Sequence, residues 1–199
     1  DFGTEVNQLA YDYANNLLYV SGKTGSFTYQ IGVIDVANNN TYTSLTSIVE
    51  DLSNIAITSV PRLAYNNNNN QIYIGIGKQL VRYNRTDDLL NDWNSGWTVI
   101  DANLNGTVIV DMKYNEGTNK MFILIQENND SKFLTVDSGD NINEITSETN
   151  MTNVDNLWAF GFTSNNKLVV ATEDDSDVSA NVQIYNSASP DLSGGTWER

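Results

Sequence analysis

The residue types that this sequence lacks restrict its chemistry more than those it contains. There is no cysteine and no histidine among its 199 residues. Thiol catalysis, disulfides and zinc–thiolate sites are therefore excluded, and the side chain that most often serves as a general base near neutral pH is absent. A hydrolytic mechanism would depend on carboxylates alone, as in a carboxylate-dependent glycosidase or lyase. Because the sequence singles out no pair of carboxylates, we predict that the protein is not an enzyme.

One acidic segment contains residue types that could bind a cation. Asp174, Asp175 and Asp177 follow a predicted apolar strand, and clustered carboxylate oxygens are the ligands that Ca²⁺ prefers. The spacing is not that of an EF-hand, and a solvated acidic loop explains the same residues. Apart from calcium at this segment, no cofactor is predicted. Asp35 and Asp137 close equivalent predicted strands and are interpreted as Asx-type turns rather than as ligands.

Five asparagines stand in N-x-S/T sequons, which accept glycans in exported proteins. Each falls in a predicted loop or turn, although asparagine, serine and threonine are abundant enough here to produce such triplets by chance. Among the tryptophans, Trp93 is the best candidate for an exposed ring that stacks on a sugar. Trp97 and Trp197 occupy equivalent strand positions, which favours structural use, and Trp158 is expected in the core. The predicted glycosylation sites are Asn39, Asn84, Asn105, Asn129 and Asn150.

The charge balance narrows the range of partners. Ten basic against 25 acidic residues give a formal net charge of -15. Nucleic acids and anionic membrane surfaces are disfavoured, because binding to them depends on clustered positive charge. No stretch reaches the roughly 18 consecutive apolar residues of a membrane span, so direct membrane insertion is not expected. Cations, neutral glycans and other proteins remain as partners.

The elements that would position these residues repeat along the chain. An aromatic residue, an Asn-rich turn and an apolar strand recur about every fifty residues, followed by a third strand and a more polar fourth strand. This pattern predicts an all-β fold, a β-propeller with four visible blades of four antiparallel strands, whereas a β-sandwich would not repeat at this length. The aromatic anchors are Tyr11, Tyr65, Tyr114 and Phe162, and the blades span about residues 5–50, 55–102, 105–150 and 154–199 of a single domain.

Segments 10–20 and 33–39 resemble the YVTN family of β-propeller repeats. The shared pattern is a D-x-x-x-N-x-x-Y-V hairpin followed by an I-D-x-x-x-N third strand. The resemblance implies a propeller in a surface-layer or secreted protein and says little about activity. Segment 189–197 is similar, more faintly, to the Asp-box of sialidase-like propellers, which is a structural turn. The arginine triad of sialidases cannot be assigned, so sialidase activity is not expected.

The ends of the repeat leave two interpretations of the ring. Segment 1–6 could supply a missing outer strand of the fourth unit and close a four-bladed ring. Alternatively, the chain is an arc of a larger ring, with exposed strand edges at its ends. Closed four-bladed rings are uncommon, so the arc is favoured.

Together these observations predict a non-catalytic extracellular β-propeller with a structural or adhesive role at a cell surface, as part of a surface layer, filament or adhesin. The expected partners are proteins or glycans at that surface, and self-assembly is compatible with this role. The alternative is a sensor propeller that holds a small ligand or glycan near the starts of the first strands. That ligand would lie around Gln8, Arg62, Asp111 and Trp158.

Overall fold

The computed structural model describes residues 5–26, 28–46, 57, 59–84, 97–101, 104, 108–127, 130–147, 156–165, 167–174, 177–186 and 196–198. These residues contain the strands β1 (Glu5–Asp12), β2 (Leu17–Lys23), β3 (Tyr29–Asp35), β4 (Thr41–Ser44), β5 (Arg62–Asn66), β6 (Gln71–Ile76), β7 (Gln79–Asn84), β8 (Trp97–Asp101), β9 (Val108–Asn115), β10 (Lys120–Glu127), β11 (Asp130–Val136), β12 (Ile142–Ser147), β13 (Asn156–Phe162), β14 (Leu168–Asp174), β15 (Asp177–Asn186) and β16 (Thr196–Glu198). Within the same residues, no helix has the length and apolar character needed to cross a membrane.

The strands form antiparallel sheets of four, in which strands consecutive in sequence are neighbours. Sheet 1 contains β1–β4, sheet 2 contains β5–β8, sheet 3 contains β9–β12 and sheet 4 contains β13–β16. Sheets 1 and 2 belong to a first compact unit, Asp1–Gly106, and sheets 3 and 4 to a second, Thr107–Arg199. The predicted four units of four antiparallel strands are therefore confirmed.

The outer strand of sheet 4 is β16, which pairs with β15 through Tyr185 and Trp197. At the other end of the chain, Glu5 and Val6 lie in β1, opposite Lys23 and Gly22 of β2. The interpretation in which segment 1–6 supplies the outer strand of the fourth unit is therefore wrong for Glu5 and Val6. These two residues extend the first strand of sheet 1 instead, because their backbone continues the β1–β2 pairing.

The first hairpin turns explain many of the asparagines. In sheets 1, 2 and 3 this turn ends on an asparagine with left-handed backbone, with φ of 53°, 52° and 54°. Asparagine tolerates this conformation better than most residues because its short polar side chain bonds locally. The residue that ends the first strand also accepts hydrogen bonds from N–H groups of the turn. These strand-ending residues are Asp12, Asn66 and Asn115, and the left-handed residues are Asn16, Asn70 and Asn119.

The second hairpins use aspartate in the same way. Asp35 Oδ1 accepts a hydrogen bond from the Asn38 N–H at 3.0 Å, and Asp137 Oδ1 accepts one from the Gly139 N–H at 2.8 Å. Hydrogen bonds from Asn141, from its side chain first and then its backbone, lower the pKa of Asp137. The prediction that Asp35 and Asp137 form Asx-type turns is confirmed.

The core of unit 1 lies between sheets 1 and 2. Apolar side chains from the first three strands of sheet 1 pack against apolar side chains from the first three strands of sheet 2. The Tyr19 ring of β2 stacks on the Tyr65 ring of β5, with centroids 5.5 Å apart. Such pairs contribute about 0.5–1.5 kcal/mol beyond the burial of their apolar area. Burial raises the pKa of both phenols above the ordinary value for tyrosine.

The core of unit 2 is a cluster of aromatic and aliphatic side chains between sheets 3 and 4. The Phe122 ring of β10 packs edge-on against Phe162 of β13, with centroids 4.7 Å apart. The Phe133 ring of β11 packs against Phe160 at 5.2 Å. Each unit therefore holds its two sheets together through aromatic pairs that cross the space between them.

Candidate functional site

The sheets of unit 1 are also joined by hydrogen bonds from their first strands. The Leu63 N–H of β5 donates to Gln8 Oε1 of β1 at 3.0 Å. The Tyr65 hydroxyl donates to Asp12 Oδ2 at 2.8 Å, at a fully buried position. The great majority of buried polar groups in folded proteins are hydrogen-bonded, because an unpaired one costs its desolvation. These polar side chains of β1 are therefore committed to holding sheet 2.

Unit 2 repeats the first of these bonds with different residues. The Phe160 N–H of β13 donates to Asp111 Oδ2 of β9 at 3.5 Å. Lys113 places its Nζ 3.2 Å from the same Asp111 oxygen and 5.7 Å from the centroid of the Phe160 ring. Asp111 stands three residues before Tyr114, just as Gln8 stands three residues before Tyr11. Gln8 and Asp111, which occupy equivalent positions, thus each join the two sheets of their unit.

The second hydrogen bond of unit 1 has an incomplete counterpart in unit 2. Asn115 occupies the position of Asp12, but Phe162 occupies that of Tyr65 and has no hydroxyl. The buried Asn115 Nδ2 has no hydrogen-bond partner among the described residues. A buried donor left without a partner costs about 1–3 kcal/mol.

Replacing Phe162 with tyrosine is therefore expected to raise the free energy of unfolding of unit 2 by about 1 kcal/mol, because the new hydroxyl can accept from Asn115 Nδ2. Urea unfolding followed by circular dichroism measures the change. Phe160→Tyr is the matched control, since Phe160 is 4% exposed among aromatic rings and a hydroxyl buried there costs stability. Equal destabilisation by both substitutions would contradict the expected pairing.

Three hairpin turns of unit 1 meet at one edge, which we call the hairpin edge: residues 13–16, 36–40 and 67–70. The Val36 N–H donates to the Asn16 carbonyl at 3.0 Å, which joins the two turns of sheet 1. The Tyr13 N–H donates to Asn67 Oδ1 at 3.1 Å, which joins sheet 1 to the first turn of sheet 2. The backbone of this edge is thereby fixed by bonds between turns.

Tyr13 is the most exposed large apolar side chain of the hairpin edge, with 71% of its surface accessible. Its ring contacts the Tyr11 ring edge-on, with centroids 4.9 Å apart. The Tyr11 hydroxyl in turn donates to Asn16 Oδ1 at 3.0 Å. Tyr13 thus offers an exposed apolar ring that is supported by the Tyr11 ring. The amide side chains of the same turns offer hydrogen-bond donors and acceptors.

Sheet 4 presents a second concave surface, which we call the β14 hollow. It has a volume of about 370 Å³, is open to solvent and is mostly apolar. A Cβ placed on Gly161 would meet no atom within 4 Å, so the hollow owes its depth partly to this glycine. Its lining residues are Ala159, Phe160, Gly161, Phe162, Val169 and Ala171.

Solved structures share this arrangement of sheets. A chain of a nidogen/laminin complex superposes on 93% of this chain and 62% of its own length, with a TM-score of 0.65 and 13% identity. The extracellular domain of a putative one-component system from B. thetaiotaomicron covers 94% of this chain and 22% of its own length, with a TM-score of 0.61 and 16% identity. TolB from Acinetobacter baumannii covers 89% and 43%, with a TM-score of 0.55 and 7% identity. These proteins contain β-propellers. The four sheets are propeller blades.

The chain spans less than two thirds of the length of each of these structures. Their identities to this chain are low, so the likeness concerns the fold alone. No protein-family model and no curated protein matches the sequence. The propeller architecture is thus established, while similarity to YVTN repeats stays a resemblance. We number the blades 1 to 4 after their sheets.

The predicted glycosylation sites fall in different settings. Asn39 lies on the hairpin edge of blade 1, exposed and with left-handed backbone at φ 56°. Asn84 ends β7 of blade 2, half-buried, and its Oδ1 accepts a hydrogen bond from Gln71 Nε2 at 2.9 Å. Of the two asparagines, Asn39 is therefore better placed for attachment of a glycan. The other three, Asn105, Asn129 and Asn150, lie outside the described residues.

Half of the residues predicted to bind a cation or a sugar lie outside the described part of the chain. Asp174 ends β14 and Asp177 begins β15, where they face each other in the strand pairing of blade 4. Asp175 and Trp93 lie outside the described residues. Within the described residues, no three histidine, cysteine or acidic side chains are grouped to hold a metal ion. Calcium binding at Asp174, Asp175 and Asp177 stays a prediction.

Three of the four residues predicted near a central ligand share one structural position. Gln8, Arg62 and Asp111 each stand three residues before the aromatic anchor of their blade. Gln8 and Asp111 are engaged in joining blades, whereas Arg62 Nε is shielded from solvent and has no hydrogen-bond partner among the described residues. Trp158 lies in β13, at the start of blade 4.

Sequence reasoning overlooked Tyr13 and preferred Trp93 as the exposed aromatic residue. The sequence does contain a signal for Tyr13, because it occupies the first position of the turn in Asp12–Asn16, outside the alternation of the strands. The equivalent turn positions in blades 2 and 3 are Asn67 and Glu116. A large aromatic residue in place of these polar ones indicates an exposed ring.

Proposed function

We propose that this chain is a non-catalytic recognition module of an extracellular β-propeller, with an adhesive or structural role at a cell surface. The hairpin edge of blades 1 and 2 carries this proposal, with the exposed Tyr13 ring as its centre. The similarity to an extracellular propeller domain and the sequons support an exported protein. Surface-layer, filament and adhesin components are the classes that this role includes.

The ligand class follows from the chemistry of the hairpin edge. An exposed tyrosine ring packs against the C–H face of a sugar, and amide side chains both donate to and accept from its hydroxyls. Each of the three turns of this edge carries exposed asparagines, among them Asn16, Asn39 and Asn68. The net charge of -15 disfavours sialylated or sulfated glycans by repulsion. The proposed ligand is a neutral glycan on a cell or matrix surface.

The acidic side chains buried in the described blades support a non-catalytic role. Asp12, Asp35 and Asp111 are each at most 8% exposed. Each accepts hydrogen bonds that hold a turn or a neighbouring blade. Their hydrogen bonds give these three carboxylates a structural role in the turns and between the blades. Together with the lack of histidine and cysteine, this favours binding over catalysis.

Replacing Tyr13 with alanine tests the proposal. Affinity for the neutral oligosaccharide that the wild-type protein binds best, selected from an immobilised panel, is expected to fall at least about tenfold, because the apolar platform is lost. Tyr13→Phe keeps the ring and should bind nearly as well. Val99→Ala alters another exposed apolar residue of unit 1, on β8, and should change nothing. Binding equal in Tyr13→Ala and wild type, or no binding to any neutral glycan at millimolar concentration, would contradict the proposal.

A sensor propeller that holds a small ligand is the second candidate. The Arg62 Nε donor favours it, because a buried N–H gains most from an acceptor supplied by a ligand. Similarity to the extracellular domain of a putative one-component system supports the same role. The two candidates differ in the same assay: a ligand whose binding survives Tyr13→Ala but is lost in Arg62→Gln indicates the sensor role.

A further inference from the structure

The amino acids that are easily oxidised are distributed unevenly between the two units. The chain has no cysteine or histidine, and its methionines, Met112, Met121 and Met151, all belong to unit 2. Tyrosine and tryptophan are therefore the readily oxidised residues of unit 1. The positions of their rings and hydroxyls decide what one-electron chemistry this unit can carry out.

The Tyr65 hydroxyl is placed to lose a proton together with an electron. It donates to Asp12 Oδ2 at 2.8 Å, and the two residues are 6% and 0% exposed. A phenol gives up an electron more easily when its proton can move along an existing hydrogen bond to a base, because the charged form of the radical is then avoided. A carboxylate is such a base, and an amide oxygen is a much weaker one.

Aromatic rings connect this pair to the margin of the core of unit 1. The Tyr19 ring stacks on the Tyr65 ring at 5.5 Å, with 19° between the ring planes. The Tyr83 ring packs on the partly buried Trp97 ring at 4.8 Å, and both contact the same core. Burial chiefly raises the pKa of Tyr19, and the Tyr65 and Tyr83 phenols raise it further because both lie close to it. We call this series the aromatic chain: Trp97, Tyr83, Tyr19 and Tyr65.

We propose that the Tyr65–Asp12 pair is a one-electron oxidation site, which the aromatic chain connects to oxidants in solution at Trp97. The oxidant removes one electron from the Trp97 indole and is reduced by it. An electron from Tyr65 refills the indole through Tyr19 and Tyr83. The Tyr65 hydroxyl proton moves to Asp12 Oδ2, which leaves a neutral phenoxyl radical and a protonated carboxyl group. A reductant that returns one electron to Tyr65, with the proton moving back, restores the site.

The class of oxidant follows from access and charge. Among the rings of the aromatic chain, Trp97 is the accessible one, whereas Tyr19, Tyr65 and Tyr83 are at most 6% exposed. The net charge of -15 repels anionic oxidants. The reactants are therefore neutral or cationic one-electron oxidants, among them organic peroxyl radicals, which take up a proton from water as they are reduced. The inference is independent of the hairpin edge and of any glycan bound there.

Photo-oxidation of the whole chain tests the proposal. Tris(bipyridine)ruthenium(III), generated by a flash with a cobalt(III) ammine as electron acceptor, is a cationic one-electron oxidant, and electron paramagnetic resonance of freeze-quenched samples identifies the radical. The wild type should give a long-lived tyrosyl radical, because the buried Tyr65 ring is kept from coupling with a second radical. In Tyr65→Phe the yield of this radical should fall at least about tenfold, with the oxidising equivalent left on tryptophan. Phe162 shows that phenylalanine is accommodated at this position of a blade.

Asp12→Asn separates proton transfer from packing. Asparagine keeps an acceptor oxygen for the Tyr65 hydroxyl, and Asn66 and Asn115 occupy the same position in blades 2 and 3. Because an amide does not hold the proton, the yield of the long-lived tyrosyl radical should again fall at least about tenfold. Trp97→Phe should slow formation of the radical by removing its point of entry. An unchanged yield in folded Tyr65→Phe or Asp12→Asn would overturn the proposal.

Tyr73→Phe is the matched control. Tyr73 is 2% exposed in the same unit, but its hydroxyl donates to an amide oxygen, Gln71 Oε1, at 3.2 Å. Its replacement should leave the yield and the lifetime of the radical unchanged. Equal losses in Tyr73→Phe and Tyr65→Phe would show that any buried tyrosine serves, and would contradict the assignment to the Tyr65–Asp12 pair.

A second measurement uses the wild type alone and covers the case in which Asp12→Asn does not fold. After the Tyr65 hydroxyl has exchanged in heavy water, the tyrosyl radical should form more slowly, since a deuteron then moves to Asp12 with the electron. Equal rates of formation in light and heavy water would contradict this transfer.

Discussion

Replacing Phe122 with alanine is expected to lower the free energy of unfolding of unit 2 by about 3–5 kcal/mol. Phe122 is fully buried in the cluster between blades 3 and 4, and its ring packs against Phe162. Its removal loses the transfer free energy of a large apolar side chain and leaves a cavity that rigid β-sheets fill poorly. Urea denaturation monitored by circular dichroism and by tryptophan fluorescence measures the loss.

The matched control is Val108→Ala in the same unit. Val108 lies on β9 but is 56% exposed, so its truncation should change the free energy of unfolding by no more than about 0.5 kcal/mol. A loss below about 1 kcal/mol in Phe122→Ala would mean that blades 3 and 4 are not held together through this aromatic pair.

Replacing Asp12 with alanine is expected to lower the free energy of unfolding of unit 1 by about 2–4 kcal/mol. Asp12 is fully buried and accepts from the Tyr65 hydroxyl of the next blade and from the Asn15 N–H of its own turn. Alanine leaves both donors without this acceptor, and a buried donor without a partner costs its full desolvation. Thermal and urea unfolding both report the change.

Asp35→Ala is the matched control for Asp12→Ala. Asp35 accepts hydrogen bonds from Asn38 in its own turn, and among the described residues it accepts none from a tyrosine of another blade. Asp35→Ala should therefore cost less than Asp12→Ala. A double-mutant cycle of Asp12→Ala with Tyr65→Phe isolates the bond between blades and should show a coupling of about 1 kcal/mol or more. Equal costs at Asp12 and Asp35, with no coupling, would show that this bond contributes nothing to joining the blades.

The repeat of aromatic anchor, Asn-rich turn and apolar strand was sufficient to predict the four sheets, because these signals are local. Asn16 and Asn70 take left-handed backbone, and Asp35 and Asp137 bond to N–H groups a few residues away. Such turns depend on short stretches of chain, which sequence alone displays. The same locality explains why the strand order could be predicted.

The contacts between blades could not be predicted in this way. The position three residues before the anchor is Gln8, Arg62, Asp111 and Ala159 in the four blades, and no residue type repeats there. Its role depends on a backbone N–H that is about fifty residues away in sequence and adjacent only in the folded unit. The requirement for glycine at position 32 could not be predicted from the sequence either. It arises because a Cβ at that position would overlap the Tyr42 ring of β4.

The exposed aromatic residue at the hairpin edge was not predicted from the sequence. Trp93, the residue expected to present an exposed ring, lies outside the described residues, so that expectation stays a prediction. Among the described residues, the hairpin edge presents the exposed ring of Tyr13. Exposure of Tyr13 follows from its position in the turn and from its bond to Asn67 of the next blade. Only the packing of blades 1 and 2 brings these two turns together, so the hairpin edge depends on the fold.

The packing of consecutive blades through paired aromatic rings is tested most directly by nuclear Overhauser effects between those rings. With tyrosine and phenylalanine rings selectively protonated in a deuterated protein, and signals assigned by Tyr→Phe and Phe→Leu variants, we expect strong effects between Tyr19 and Tyr65. Equally strong effects are expected between Phe122 and Phe162, because the centroids are 5.5 Å and 4.7 Å apart. The absence of both, with Tyr19 and Phe122 instead close to rings of other strands, would contradict the blade packing on which the hairpin edge depends.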